Sequence, residues 1–169
     1  MKNKKAQTIF GLSFGAIFSI IIIIAIIGVG FFAIKHFLNL NKCTKIGFFY
    51  QDLQDEADRA WTSGIYRGDF KGELPSSGIF KTGVEQVCFG KLSQSSTSSL
   101  KAMLSNNYDF PDTANVFLYP PENACEFELA SFNLKHVQTR DFFCIQVVNG
   151  VAPVQLEKDV SDSAVLLKR

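Results

Sequence analysis

The side chains with chemical potential in this chain are few and widely spaced: two histidines, four cysteines and one run of carboxylates. There is no Cys-x-x-Cys, His-x-x-x-His, Walker loop or Gly-x-Gly-x-x-Gly, so metal-ligating and phosphate-cradling spacings are absent. Cys144 and His136 can be drawn as a nucleophilic pair, but no spacing fixes one against the other. A disulfide or structural role is expected for both. His36 borders an apolar stretch, where an interfacial role is expected. Asp52, Asp55, Glu56 and Asp58 fall on an amphipathic segment and are diluted by Lys45 and Arg59, the pattern of a solvated helix face. The formal net charge is +1 and the basic residues are scattered rather than clustered, which gives no sign of a nucleic-acid surface, and no nucleic-acid partner is expected. The expectation is a non-enzymatic protein with no catalytic residues, no cofactor and no metal.

The element that positions everything else is the uncharged segment 7–34, preceded by Lys2, Lys4 and Lys5 and followed by Lys35 and His36. At about 1.5 Å of rise per residue it exceeds the roughly 20 residues that cross a bilayer core. Lipid cannot satisfy backbone polar groups, so a single helix in contact with membrane lipid is predicted. A cleaved secretory signal has an apolar region of about 7–15 residues and a small-residue cleavage site. Here the run is longer, and Lys35-His36-Phe37 offers no such site. The three lysines of the tail favour a cytoplasmic N-terminus, although Lys35, Lys42 and Lys45 reduce the contrast. The remainder then lies outside the cell membrane, where four cysteines can persist as disulfides.

The helix is predicted to continue past Ile34. No proline interrupts it, and Gly47 costs only about 1 kcal/mol relative to Ala. Phe37, Leu40, Cys43, Gly47, Tyr50, Leu53, Ala57, Ala60 and Trp61 recur at steps of mostly three and four, one face of a helix. Asn41, Lys45, Asp52, Asp55, Glu56 and Arg59 occupy much of the rest. Thr62-Ser63-Gly64 is the stop signal, with Gly64 suited to a left-handed cap. One nearly continuous helix over 8–61 results, lipid-facing first and amphipathic second. Gly11, Gly15 and Ser19 fall four apart on one side, which would let another helix approach closely. The expected partners there are a second copy or related membrane subunits. The competing reading is chance, since glycine is common in membrane helices.

Lys4-Lys5-Ala6-Gln7-Thr8-Ile9, followed directly by the apolar run, resembles the processing signal of archaeal type IV pilin-like proteins. The resemblance implies a cut between Ala6 and Gln7 by a membrane peptidase on the cytoplasmic side, with the helix retained. It further implies a structural subunit of a surface filament or secretion-type assembly. Two features depart from the pattern. The fifth residue after the implied cut is Gly11, where bacterial pilins usually carry glutamate, although archaeal relatives often lack it. Lys35 and His36 also bring polarity into the spine early. The alternative is a plain signal anchor whose lysines set topology, holding an extracytoplasmic binding or accessory domain that forms no filament.

Beyond Gly64 the pattern turns extended. Residues 74–78 form a turn cluster, 84–91 alternate as a strand, and 93–99 are a polar loop. Ser99 is a candidate cap for a short helix through Leu104. Residues 116–119 form a strand ended by Pro120-Pro121, and 126–134 are predicted as another. Asn149-Gly150 suits a type I′ hairpin turn that would set Val148 opposite Val151, Val147 opposite Ala152 and Ile145 opposite Val154. Phe143, Ile145, Val147, Ala152, Val154 and Leu156 then share a core-facing side, with Cys144, Gln146, Val148, Pro153 and Gln155 on the other.

Cys88 and Cys144 point away from neighbouring phenylalanines in their strands, so a bridge between them is admissible and leaves Cys43 with Cys125. Four cysteines allow three connectivities, and Cys43 on the apolar helix face also reads as a free thiol. The predicted class is α+β: a basic segment 1–6, a membrane helix 7–34, its amphipathic continuation 35–63, and a β-rich extracytoplasmic domain 64–169. Replacing Gly11 and Gly15 with leucine should reduce helix-driven assembly in detergent, read by cross-linking of the full chain. Unchanged assembly would remove the packing role.

Overall fold

The computed structural model describes residues 14–75, 83–94, 96 and 98–169. The first element, α1, runs Phe14–Thr62. The chain divides into two compact units, Met1–Asn39 and Leu40–Arg169. The architecture is α+β, with the long helix contributing its last part to a head built on two four-stranded sheets.

Within the head, α1 buries Ile46, Phe49, Tyr50, Leu53, Ala57 and Ala60. These positions recur at three and four, so they form one stripe. Tyr50, Leu53, Ala57 and Ala60 match the face expected from spacing, whereas Gly47, expected on it too, is exposed. The stripe passes instead through Ile46 and Phe49, whose large apolar side chains gain far more from burial than a glycine can. Leu40 is 51% exposed and Trp61 is 41% exposed, so neither belongs to the core. In the first unit Phe37 is exposed as well.

The end of α1 also differs from expectation. Gly64 is not among the glycines with positive φ. The last carbonyls are satisfied by side chains: Thr62 Oγ1 donates to Asp58 O at 3.0 Å and Ser63 Oγ to Arg59 O at 2.8 Å. Lys158 Nζ donates to Trp61 O at 2.8 Å and Ser63 O at 2.9 Å. An ammonium at this end both fills orphan acceptors and complements the negative end of the helix dipole. A left-handed glycine is therefore unnecessary.

The remaining elements are β1 (Tyr66–Glu73), β2 (Gln86–Phe89), α2 (Ser99–Asn107), β3 (Val116–Tyr119), β4 (Ser131–Phe132), β5 (Val137–Gln138), β6 (Phe143–Gln146), β7 (Val151–Lys158) and β8 (Val165–Lys168). One sheet has the order β1-β7-β8-β5 and the other β4-β3-β2-β6. All pairings are antiparallel except β5 with β8. The cap position of α2 is Ser98 rather than Ser99 and makes no side-chain cap bond; the helix also runs three residues past Leu104. The strand expected over 126–134 is mostly a 3-10 turn, Phe127–Ala130, leaving only β4 extended. Cys125, with φ 71°, redirects the chain just before it.

The Asn149-Gly150 turn forms as expected, with φ of 53° and 80° and reciprocal 3.0 Å bonds between Val148 and Val151. The hairpin nevertheless stops there. Ile145 pairs with Val87 of β2, and Val154 pairs with Phe70 of β1. Val147 N–H donates to Glu85 O at 2.8 Å, while Ala152 sits opposite Gly72. The turn is thus a corner where the chain leaves one sheet and enters the other, and Val147/Ala152 and Ile145/Val154 are not partners. Side-chain parity survives, because alternation belongs to each strand and not to its neighbour. Ile145, Ala152, Val154 and Leu156 are buried, while Gln146, Val148, Pro153 and Gln155 are exposed.

Tyr50 fastens the helix to the second sheet. Its ring stacks on Phe132 with centroids 4.6 Å apart, and its hydroxyl donates to Leu129 O at 2.8 Å. Burial pushes its phenol far above the ordinary 10.0. Its folded pKa being raised, the stability it adds is fully present below pH 10 and declines as pH rises above that value. Tyr50→Phe should cost about 1 kcal/mol at neutral pH through the lost hydrogen bond. The variant should also lose less stability than the wild type between pH 10 and higher pH, as read by urea unfolding at a series of pH values.

Candidate membrane anchor and disulfide-bound head

In the first unit the described apolar side chains of α1 lie on its surface. Ile17, Phe18, Ile20 to Ile24, Ile26, Ile27, Val29, Phe31, Phe32 and Ile34 are all exposed. The chain contains one helix, among the described residues, that is long and apolar enough to cross a membrane. In water such a surface would be far larger than a soluble monomer tolerates. Ser19 Oγ donates back to Gly15 O at 2.8 Å, which satisfies the hydroxyl within the helix and leaves that flank apolar. His36 stacks on Phe32, one turn earlier, with centroids 6.4 Å apart. The candidate processing residues Lys4, Lys5, Ala6 and Gln7, and Gly11 of the packing stripe, lie outside the described residues.

In the head, the structure brings Cys88 to Cys144 and Cys43 to Cys125, with Cα separations of 3.9 and 5.3 Å. Cys88 and Cys144 sit directly opposite each other in the β2–β6 ladder. The second pair ties the start of the head's helical segment to the turn before β4. Cys144 is therefore not a thiol nucleophile, and Cys43 is not free.

His136 is held by other contacts. Its ring lies 4.0 Å from that of Trp61 at 21°, and Nε2 is 4.0 Å from Asp58 Oδ1. Its carbonyl accepts from Val165 N–H at 2.8 Å, and its φ is 62°. The acidic residues are likewise engaged separately. Asp58 accepts from Gln54 Nε2 at 2.8 Å, and Glu56 pairs with Arg59 Nη1 at 2.5 Å. Glu56 also accepts from Tyr66 Oη, and that bond, with burial and the carboxylate charge adding to it, raises the Tyr66 phenol pKa. Among the described residues no three of His, Cys, Asp and Glu gather as a metal site would require.

Two structurally important features lie outside the motifs singled out above. Lys158 caps α1 from β7 across ninety-odd residues, a contact with no local signal. Strand β1 does carry one: Arg67, Asp69, Lys71 and Glu73 alternate with Gly68, Phe70 and Gly72 at the period of a strand. Gly72 is required there because a Cβ would overlap the Phe49 ring.

Comparison with protein-family models, with curated proteins and with solved structures gave no match. The geometry thus defines a class: an apolar helix of membrane-spanning length leading an α+β head closed by two disulfides. The Cys43–Cys125 bridge spans 82 positions, a loop whose closure removes about 4 kcal/mol of unfolded-state entropy. Cys43→Ser should lower the head's stability by about that amount, and reducing agent should then add a further loss of nearly the same size, because the Cys88–Cys144 bridge spans 56 positions. Equal denaturation midpoints for variant and wild type would contradict this role.

Proposed function

We propose that this chain is a non-enzymatic, pilin-like membrane protein, a subunit of a surface filament or secretion-type assembly. The observation that carries the reading is the double use of α1. Its early part exposes an unbroken apolar surface, and its later part is the central core element of the head. Such a helix anchors a subunit and offers a lateral packing surface without any separate linker. The basic tail, which resembles a pilin processing signal, supports the same reading. In it the N-terminus is cytoplasmic, the head lies outside the cell membrane, and both disulfides reside in an oxidising compartment. Partners are membrane lipid and copies or relatives packing along Gly11, Gly15 and Ser19.

The second reading is a tethered extracytoplasmic binding or accessory domain that assembles into no filament. Lys35 and His36 favour it, because polar groups in a filament spine must be desolvated. The mass of the native N-terminus tests the first reading. A mature chain starting at Gln7 is expected, and one retaining Met1 or Lys2 would remove it. Electron microscopy of a tagged copy then separates filament from tether by whether the tag appears along surface fibres.

A further inference from the structure

Strand β1 is the edge of its sheet, and among the described residues no strand covers its outer side. At eight residues it is as long as any described strand in the head. Leu74 N–H donates to Gly150 O at 2.7 Å, in line with the β1–β7 register. In an antiparallel ladder the pairs that exchange bonds alternate. Leu74, Gly72, Phe70 and Gly68 therefore turn their backbone groups toward β7. Arg67, Asp69, Lys71 and Glu73 turn theirs to the free edge, and their side chains are all exposed on one face. Such an edge is a template for an added strand.

The signs of these four charges specify what strand fits. We propose that β1 pairs antiparallel with β1 of a second copy of this chain, about a two-fold axis at Phe70. Arg67 then faces Glu73 of the second copy and Asp69 faces Lys71, so four opposite-charge pairs form at once. A slip of the register by two residues one way sets Arg67 against Lys71 and Asp69 against Asp69. A slip the other way sets Asp69 against Glu73 and Lys71 against Lys71. Like charges directly opposite are unfavourable, so the alternation selects one register and disfavours both neighbours. The edge charges of one sign that commonly blunt aggregation would repel a second copy; here they attract it.

A second feature lies at the same edge. Phe48, 58% exposed, lines a groove of about 590 Å³ with Lys71 and Glu73 of β1 and Asn41, Lys45 and Asp52 of α1. A strand added to β1 shields it from water. The two-fold axis reverses the direction of the paired heads, so this contact is distinct from side-by-side packing of copies that all point one way. It stands or falls independently of the filament reading.

The test uses the full disulfide-bonded chain in detergent micelles, with dimerisation followed by sedimentation equilibrium. Asp69→Lys and Lys71→Asp each place like charges at two symmetry-related positions and should weaken the dimer at least about tenfold. The double variant D69K/K71D restores opposite pairing and should dimerise like the wild type. An equimolar mixture of the two single variants should form the mixed dimer. At these two positions one chain then presents only lysine and the other only aspartate, so both cross-strand pairs are of opposite charge. These side chains are exposed, so thermal unfolding should confirm that every variant folds. A monomeric wild type, dimers indifferent to the reversals, or single variants that fail to rescue each other would each overturn the pairing.

Discussion

The head depends on the stripe of α1 running from Ile46 through Phe49, Leu53 and Ala57 to Ala60. Each sheet has one apolar face to hide, and this stripe is the surface that both use. Phe49 reaches Phe70 of one sheet at 5.9 Å, while Tyr50, the next residue, stacks on Phe132 of the other. Two adjacent helical positions point about 100° apart, which lets neighbouring side chains serve different layers. The alanines at the far end keep the helix close to its surroundings where larger residues would hold it away.

That arrangement explains why the Asn149-Gly150 turn is a corner. A hairpin confined to one sheet would leave β1 without its eight-residue partner and β2 without β6. Crossing between sheets at a tight turn lets both ladders form over the same helix. The two disulfides reinforce this packing, one within a ladder and one between segments that no ladder connects. One joins β2 to β6, and the other joins the helix to the turn preceding β4.

Much of this is legible in short stretches of the chain. The apolar segment, its helical continuation, the strand at 116–119, the Asn-Gly turn and the burial parity around it follow from local rules, since period and turn chemistry depend on near neighbours. The departures have a common source. Spacing alone puts Gly47 in the core, but spacing takes no account of the area a residue can bury. Local pattern gives Gly64 a capping role that Lys158 fills from far along the chain. Ile145 and Val154 flank one turn and so look like partners, whereas each finds a better one elsewhere.

Covalent order and backbone geometry suffice to say which residues are apolar, on which side of each element they fall, and that one segment is long enough to cross a bilayer. No distant residue alters those properties. Which strands pair, which cysteines meet and which charges remain at a free edge are settled only in three dimensions. They follow from competition among distant segments for one shared helix surface, and that competition is resolved only when the whole chain packs.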